Sequence, residues 1–159
     1  MKGDDRVIAV LNEQLRNELT AIDQYFLHAR MYRHERFTKL GEHEYKESIE
    51  EMKHADRLIE RILMIEGAPN MQDLGRIAVG RSVPERLAND LALEIGSHAK
   101  LKEGIALCES LGDYVSREIL VAIQIDTEEH IEWLETELQV IEQVGLQNYL
   151  QSALGDLAD

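Results

Sequence analysis

Four long stretches of this chain place apolar residues at every third or fourth position, a period that only an α-helix turns into one continuous face. In the first, about residues 5–34, the stripe is Ile8, Leu11, Leu15, Ile22 and Phe26. The second, about 36–65, carries Ile49, Ala55, Leu58, Ile59, Ile62 and Ile65 and must stop before Gly67 and Pro69. Its start is unmarked, since neither glycine nor proline stands between Tyr32 and Leu40. The third, about 84–111, runs Leu87, Leu91, Ile95, Leu101 and Ile105; the fourth, about 113–144, runs Ile119, Ile123, Ile131, Leu134, Leu138 and Ile141 and ends near Gly145. A short tail helix is expected at about 147–153. Rods of roughly 30 residues span about 45 Å each.

The connections decide how the rods assemble. Residues 67–81 carry Gly67, Pro69, Gly75 and Gly80 without any periodic pattern, a connection long enough to cross the full length of a bundle. Ser82 and Glu85 then stand at capping-box spacing, with Pro84 in the first turn where a missing N–H costs nothing. Gly112 and Asp113 make a tight turn. Short link, long crossover and short link make a recognised four-helix-bundle plan, and 159 residues suit a single domain covering 1–159. An all-α fold is therefore expected.

A formal charge of −14 argues against a nucleic-acid partner, because phosphates would repel it, and leaves cations as the favoured guests. The lone Cys108 has no intrachain partner, and the charged start of the chain lacks the apolar run of a secretory signal. No stretch approaches the roughly 20 apolar residues of a membrane span. The chain reads as cytoplasmic and soluble.

Function is sought where polar residues interrupt the apolar stripes, since an unpaired buried charge is costly. Six such places stand out. Glu18 lies between Leu15 and Ile22, Glu94 between Leu91 and Leu101, and Glu51 with His54 continues into Leu58 and Ile62. His130 precedes Leu134 by one turn, with Thr127 three residues before it. Glu18, Glu51 and His54 recur as Glu94, Thr127 and His130 at one constant offset of 76 residues, so the first two helices map onto the last two without a gap. Two related halves would bring these side chains to a common centre. That is the plan of a di-iron carboxylate site, a lone Glu on two helices and Glu-x-x-His on the other two, in all but one ligand. Carboxylates are hard anionic donors able to bridge two cations, each imidazole adds a nitrogen donor, and neighbouring ferrous ions can give two electrons to dioxygen or peroxide.

From end to end the sequence resembles the bacterioferritin family, in the runs Met1-Lys2-Gly3-Asp4, Asp23-Gln24-Tyr25-Phe26-Leu27-His28, Glu51-Met52-Lys53-His54-Ala55-Asp56, Asp113-Tyr114-Val115-Ser116-Arg117, Trp133-Leu134-Glu135-Thr136 and Asn148-Tyr149-Leu150-Gln151. The resemblance implies a ferritin-like four-helix bundle with a long crossover between the second and third helices and a short C-terminal fifth helix. It implies further a twenty-four-subunit shell, oxidation of Fe(II) inside each bundle, a ferric mineral in the cavity and haem b at subunit pairs. By position, Glu18 and His54 would be terminal ligands of one iron, Glu94 and His130 of the other, and Glu51 a bridge. Met52 would be the haem ligand, paired with its copy across a twofold axis, and Leu19, Phe26, Tyr45 and Ile49 would line that pocket. A reductase or ferredoxin would release the iron.

Thr127 departs from the family, which has a second bridging glutamate there. Two ferrous ions carry four positive charges, and three carboxylates leave one uncompensated, so the second metal is expected to bind more weakly and Fe(II) oxidation to be slow. Asp126 and Glu128 flank the gap, but neither projects along the line of Thr127. Lys46 and Glu50 stand where some relatives have an inner-surface iron site. His28, His34, His43 and His98 show no partner pattern, and Tyr25 and Trp133 are either electron donors or core packing. Three readings follow: a ferroxidase joined to a mineral container, a haem-binding structural subunit co-assembling with a competent second bacterioferritin subunit, and a di-iron oxidase without storage.

Overall fold

A computed structural model describes residues 1–155, and among them the order is α1 (Asp5–His34), α2 (Thr38–Met64), α3 (Val83–Ser110), α4 (Tyr114–Val144) and α5 (Leu146–Ala153). The chain folds as a ferritin-like four-helix bundle with a short fifth helix. Among the described residues, no helix is long and apolar enough to cross a membrane.

The caps explain the boundaries. Asp4 accepts from the Arg6 amide at 2.8 Å to open α1, Ser82 accepts from the Glu85 amide at 3.3 Å to open α3, and Asp113 accepts from the Ser116 amide at 3.0 Å to open α4. Asp113 also receives Arg61 of α2 at 2.9 Å, fastening two helices at one end of the bundle. Gly112 closes α3 at φ 71°, where glycine is unstrained. The end of α1 uses Arg36 at φ 73° for the same purpose, so that the Phe37 amide reaches the Tyr32 carbonyl at 2.9 Å. That non-glycine turn is why α2 starts at Thr38 rather than about residue 36, and why no punctuation marked it.

Direction follows from the links. The Gly3 amide donates to the Ile65 carbonyl at 2.9 Å, placing the end of α2 beside the start of α1. Arg86 at the start of α3 meets Glu35 at the far end of α1, with N···O distances of 2.7 and 2.5 Å. Helices α2 and α3 therefore run together, opposite to α1 and α4.

The long crossover is held by a polar row on α1 spaced every four residues, hence along one face. Asn12 takes the Asn70 amide at 2.8 Å, Arg16 pairs with Asp73 at 3.1 Å, and Thr20 takes the Gly75 amide at 2.8 Å. Further along, Gln24 takes the Ala78 amide at 3.0 Å and His28 Nε2 takes the Gly80 amide at 3.0 Å. The strap thus travels from one end of α1 to the other.

Two apolar clusters fill the interior. One contains Val7, Leu11, Leu15, Leu58, Ile62 and Leu120; the other contains Tyr32, Leu40, Leu87, Leu134, Tyr149 and Ala153, the last two from α5. Each fully buried aliphatic side chain contributes about 1.5–3 kcal/mol. Phe26 and Ile95, placed on inward stripes by their spacing, are exposed, because Tyr25 and Glu94 occupy the inward line and each neighbour is turned by about 100°.

His28 is fully buried and acts as a neutral ring: Nε2 accepts from Gly80 while Nδ1–H faces Asp90 at 2.9 Å. Burial lowers its pKa from 6.5 to about 4, against a smaller opposing pull from Glu44. Since the folded value lies below the unfolded one, the unfolded chain takes up the proton first, and this contribution to stability is present above pH 6.5 and lost as pH falls toward 4. Denaturant unfolding across that range should show a slope of at most about 1.4 kcal/mol per pH unit from this group, flattened in His28→Gln. An unchanged slope in the variant would remove His28 as the cause.

Candidate metal centre

Between the two apolar clusters the inward face of every long helix turns polar. Glu18 on α1, Glu51 and His54 on α2, Glu94 on α3, and Thr127 and His130 on α4 are all buried. The constant offset read along the chain thus becomes a pair of half-sites in space. His54 Nδ1 faces Glu18 Oε2 and Glu51 Oε2, each at 3.4 Å, while its Nε2 meets Asp126 at 2.7 Å. His130 Nδ1 faces Glu94 Oε1 at 3.2 Å, while its Nε2 meets Glu44 at 3.3 Å. Each imidazole turns one nitrogen to the centre and braces the other on an acid of a facing helix, which fixes ring orientation.

Protons balance the centre. Burial disfavours the cationic form of His54, but Glu18 and Glu51 outweigh it and push the pKa up to about 11. His130 is raised in the same way, burial being overcome by Glu44 and Glu94. Glu51 lies well above the usual carboxylate range through burial and repulsion from Glu18, and Glu94 is raised by burial and by Glu51. Tyr25, fully buried, donates to Glu94 at 2.5 Å, and burial with that neighbour keeps its phenol protonated. Yet Glu18 Oε2 and His54 Nδ1 have no aligned hydrogen-bond partner although both are buried. An orphaned buried polar atom costs about 1–3 kcal/mol, and a cation between these donors would satisfy them.

The donor set fits such an ion. Glu18, Glu51 and His54 bring ligand atoms within 4.8 Å of one another, and so do Glu47, Glu51 and His130, with Glu51 common to both groups. Carboxylate oxygen with one imidazole per group suits a first-row divalent metal such as ferrous iron.

Glu44 and Glu47 extend the site beyond the six expected places. They lie on the same face of α2 as Glu51, seven and four residues earlier. Leu40, four residues before Glu44 and seven before Glu47, is buried on that same line and is the signal that could have found them, but the apolar stripe read along this helix begins only at Ile49. Other buried polar groups were missed as well, including Gln14, Gln24, His28, Ser48, Arg61, Arg86 and Asp90. Glu44 is held below the ordinary carboxylate range because His130 and His43 outweigh its burial; Asp90 is raised well above it by burial and by Glu44. Three of the unassigned histidines have partners: His28 on Asp90, His98 on Glu128 at 2.7 Å, and His43, whose ring stacks on Trp133 with centroids 3.5 Å apart. Glu50 pairs with Lys53 at 3.0 Å.

Met52 projects outward from α2, 51% exposed, with Phe26 and Tyr45 each 46% exposed. The two rings lie 6.4 Å apart. Leu19 and Ile49 are partly buried beside this face.

A family model described as a ferritin-like domain matches residues 8–144. Among curated relatives, a bacterial ferritin of Pseudomonas aeruginosa is 50% identical over 155 residues, covering 97% of this chain and 100% of the relative. A bacterial ferritin of Synechocystis is 48% identical, covering 97% and 99%, and a bacterioferritin of Mycobacterium tuberculosis is 43% identical, covering 94% of each.

Thr127 is buried on the centre-facing side of α4, but its hydroxyl donates to the Ile123 carbonyl at 2.9 Å. Its oxygen keeps its lone pairs but carries no charge, which makes it a far weaker donor to a divalent cation than a carboxylate. Asp126 and Glu128 do not replace it, being occupied with His54 and His98. Thr127→Val, which keeps the shape and drops the hydroxyl, should therefore leave the affinity for Co(II) unchanged within about twofold, since a lost ligand costs about tenfold or more. A tenfold loss in equilibrium titration would show that the hydroxyl does serve the metals.

Proposed function

The chain belongs to the bacterioferritin family of ferritin-like proteins, and on that footing we propose that it stores iron, taking Fe(II) as substrate at the centre inside each bundle and depositing the ferric product within a shell of many copies. One observation carries the reading: two groups of carboxylates and imidazole, sharing Glu51, lie in mid-bundle, and in the fully buried one Glu18 Oε2 and His54 Nδ1 have no aligned partner.

Glu18 and His54 would hold one ferrous ion, Glu94 and His130 the other, and Glu51 both. Paired ferrous ions supply two electrons to dioxygen, giving peroxide with two protons, or to peroxide, giving two water molecules with two protons. The chain's part is to fix its donors before iron arrives. Asp126 orients His54, Glu44 orients His130, and Tyr25 holds Glu94. The proton on the centre-facing Nδ1 of each ring must leave as metal enters, while the acid on Nε2 keeps the ring in the tautomer that presents Nδ1 as a donor. The large negative charge draws cations toward the protein.

The outward face of Met52, Phe26 and Tyr45 fits a second copy with haem b between the paired thioethers, because an exposed apolar patch at this position needs cover. Haem bound there supplies one-electron transfer, and a reductase or ferredoxin would deliver the electrons that release iron. The rival reading, a structural subunit dependent on a competent partner, draws its support from Thr127.

Purified shells should elute as a large assembly, show one kind of subunit and oxidise Fe(II) rapidly in stopped flow. Replacing Glu51 with Gln should slow oxidation by at least about tenfold, as loss of metal-site groups does. Two unlike subunits with an inactive homomer of this chain would establish the rival, and a small active species would indicate an oxidase without storage. Met52→Leu should abolish the haem absorption band without changing elution volume; retained haem would reassign that ligand.

A further inference from the structure

The missing glutamate at position 127 leaves the second half-site one carboxylate short, and α2 offers one from another direction. Glu47 stands one turn before Glu51, with Oε2 3.7 Å from His130 Nδ1, the nitrogen turned to the centre. Its other oxygen lies 3.9 Å from His43 Nε2. Neither Glu47 oxygen has a hydrogen bond to another side chain among the described residues, so the carboxylate is uncommitted. His43 is itself fixed: its ring lies flat on Trp133, at an interplanar angle of 7°.

Resting on the iron-binding reading above, we propose that Glu47 replaces the carboxylate absent at position 127 and completes the second metal site with Glu51, Glu94 and His130. Three observations converge. Thr127 has turned its hydroxyl to the helix backbone. Glu47, Glu51 and His130 form a group of ligand atoms within 4.8 Å. The orphaned Glu18 Oε2 and His54 Nδ1, from side chains more than nine-tenths buried, independently support an ion at the adjoining half-site that shares Glu51.

Charge completes the argument. Glu18, Glu51, Glu94 and Glu47 are four carboxylates, which neutralise two divalent cations where three would leave one positive charge in a dry interior. The weaker second site expected from position 127 alone is therefore restored by a residue one turn away on another helix. Glu47 approaches His130 from α2 rather than from α4, so the second metal would gain its further carboxylate from the helix that already supplies Glu51.

Anaerobic titration of assembled, metal-free shells with Co(II) tests this without turnover. Cobalt on nitrogen and carboxylate donors inside the bundle gives a visible band far stronger than that of hydrated surface ions, so the band counts centre sites. Two ions per subunit are expected, falling to one in Glu47→Gln, with the second step weakened at least tenfold. Glu60→Gln, an exposed acid of the same helix, should bind two. Adding Thr127→Glu to Glu47→Gln should return the second ion, which separates ligand loss from misfolding. Two ions with unchanged affinity in Glu47→Gln would overturn the proposal, as would one ion in the unsubstituted protein, although iron binding at Glu18, Glu51 and His54 would then stand. No strong band at all would overturn both readings.

Discussion

Everything in this bundle is arranged around the cost of taking acids out of water. An unpaired carboxylate in a medium that solvates poorly costs several kcal/mol even after relaxation, and Glu18, Glu44, Glu51 and Glu94 are all buried. The interior meets the cost from two directions. His54 and His130 are held as cations by the acids around them, and Glu51 and Glu94 are pushed toward the neutral acid. Protons thus stand where the proposed ions would bring positive charge, and the side chains around them are already gathered. The two apolar clusters on either side make this tolerable, because they supply the folding energy the middle layer does not.

The same logic governs the connection that sets the topology. A crossover that runs the length of a bundle exposes a row of amides, and α1 satisfies them with Asn12, Thr20, Gln24 and His28 from one face. That row does not stop at the loop. Gln24 and His28 both reach Asp90 of α3, whose carboxyl is raised by burial and by Glu44, and Glu44 braces His130. Buried polar groups therefore lead from the strap on the outside toward the imidazole at the centre. Neutral His28 adds no further buried charge to them.

Spacing made the helices legible, because an apolar residue at every third or fourth position has few other readings. The constant offset made Glu18, Glu51, His54, Glu94 and His130 legible as a set, since it required four stripes to agree. What stayed hidden had few apolar neighbours to betray its direction. Glu44 and Glu47 have only Leu40 before them on their line, and the polar row on α1 faces a loop rather than a core, so both resemble an ordinary solvated face in one dimension. The left-handed Arg36 was invisible for a related reason: turns are read from glycine, and here a charged residue takes that conformation.

The two halves of the chain began as equivalents in the sequence, yet in space they are not used equally. Helix α2 supplies Glu51 and His54 to one half-site, Glu51 again to the other, Glu44 as the brace of His130, and Glu47 beside it. Helix α4, its counterpart, supplies one imidazole facing the centre and a threonine turned back on its own backbone. With Glu47 in its proposed role, α2 provides most of the ligands, because a single helix face places Glu47 and Glu51 one turn apart beside the centre-facing nitrogen of His130, while Glu44, one turn further back, meets the opposite nitrogen and orients the ring.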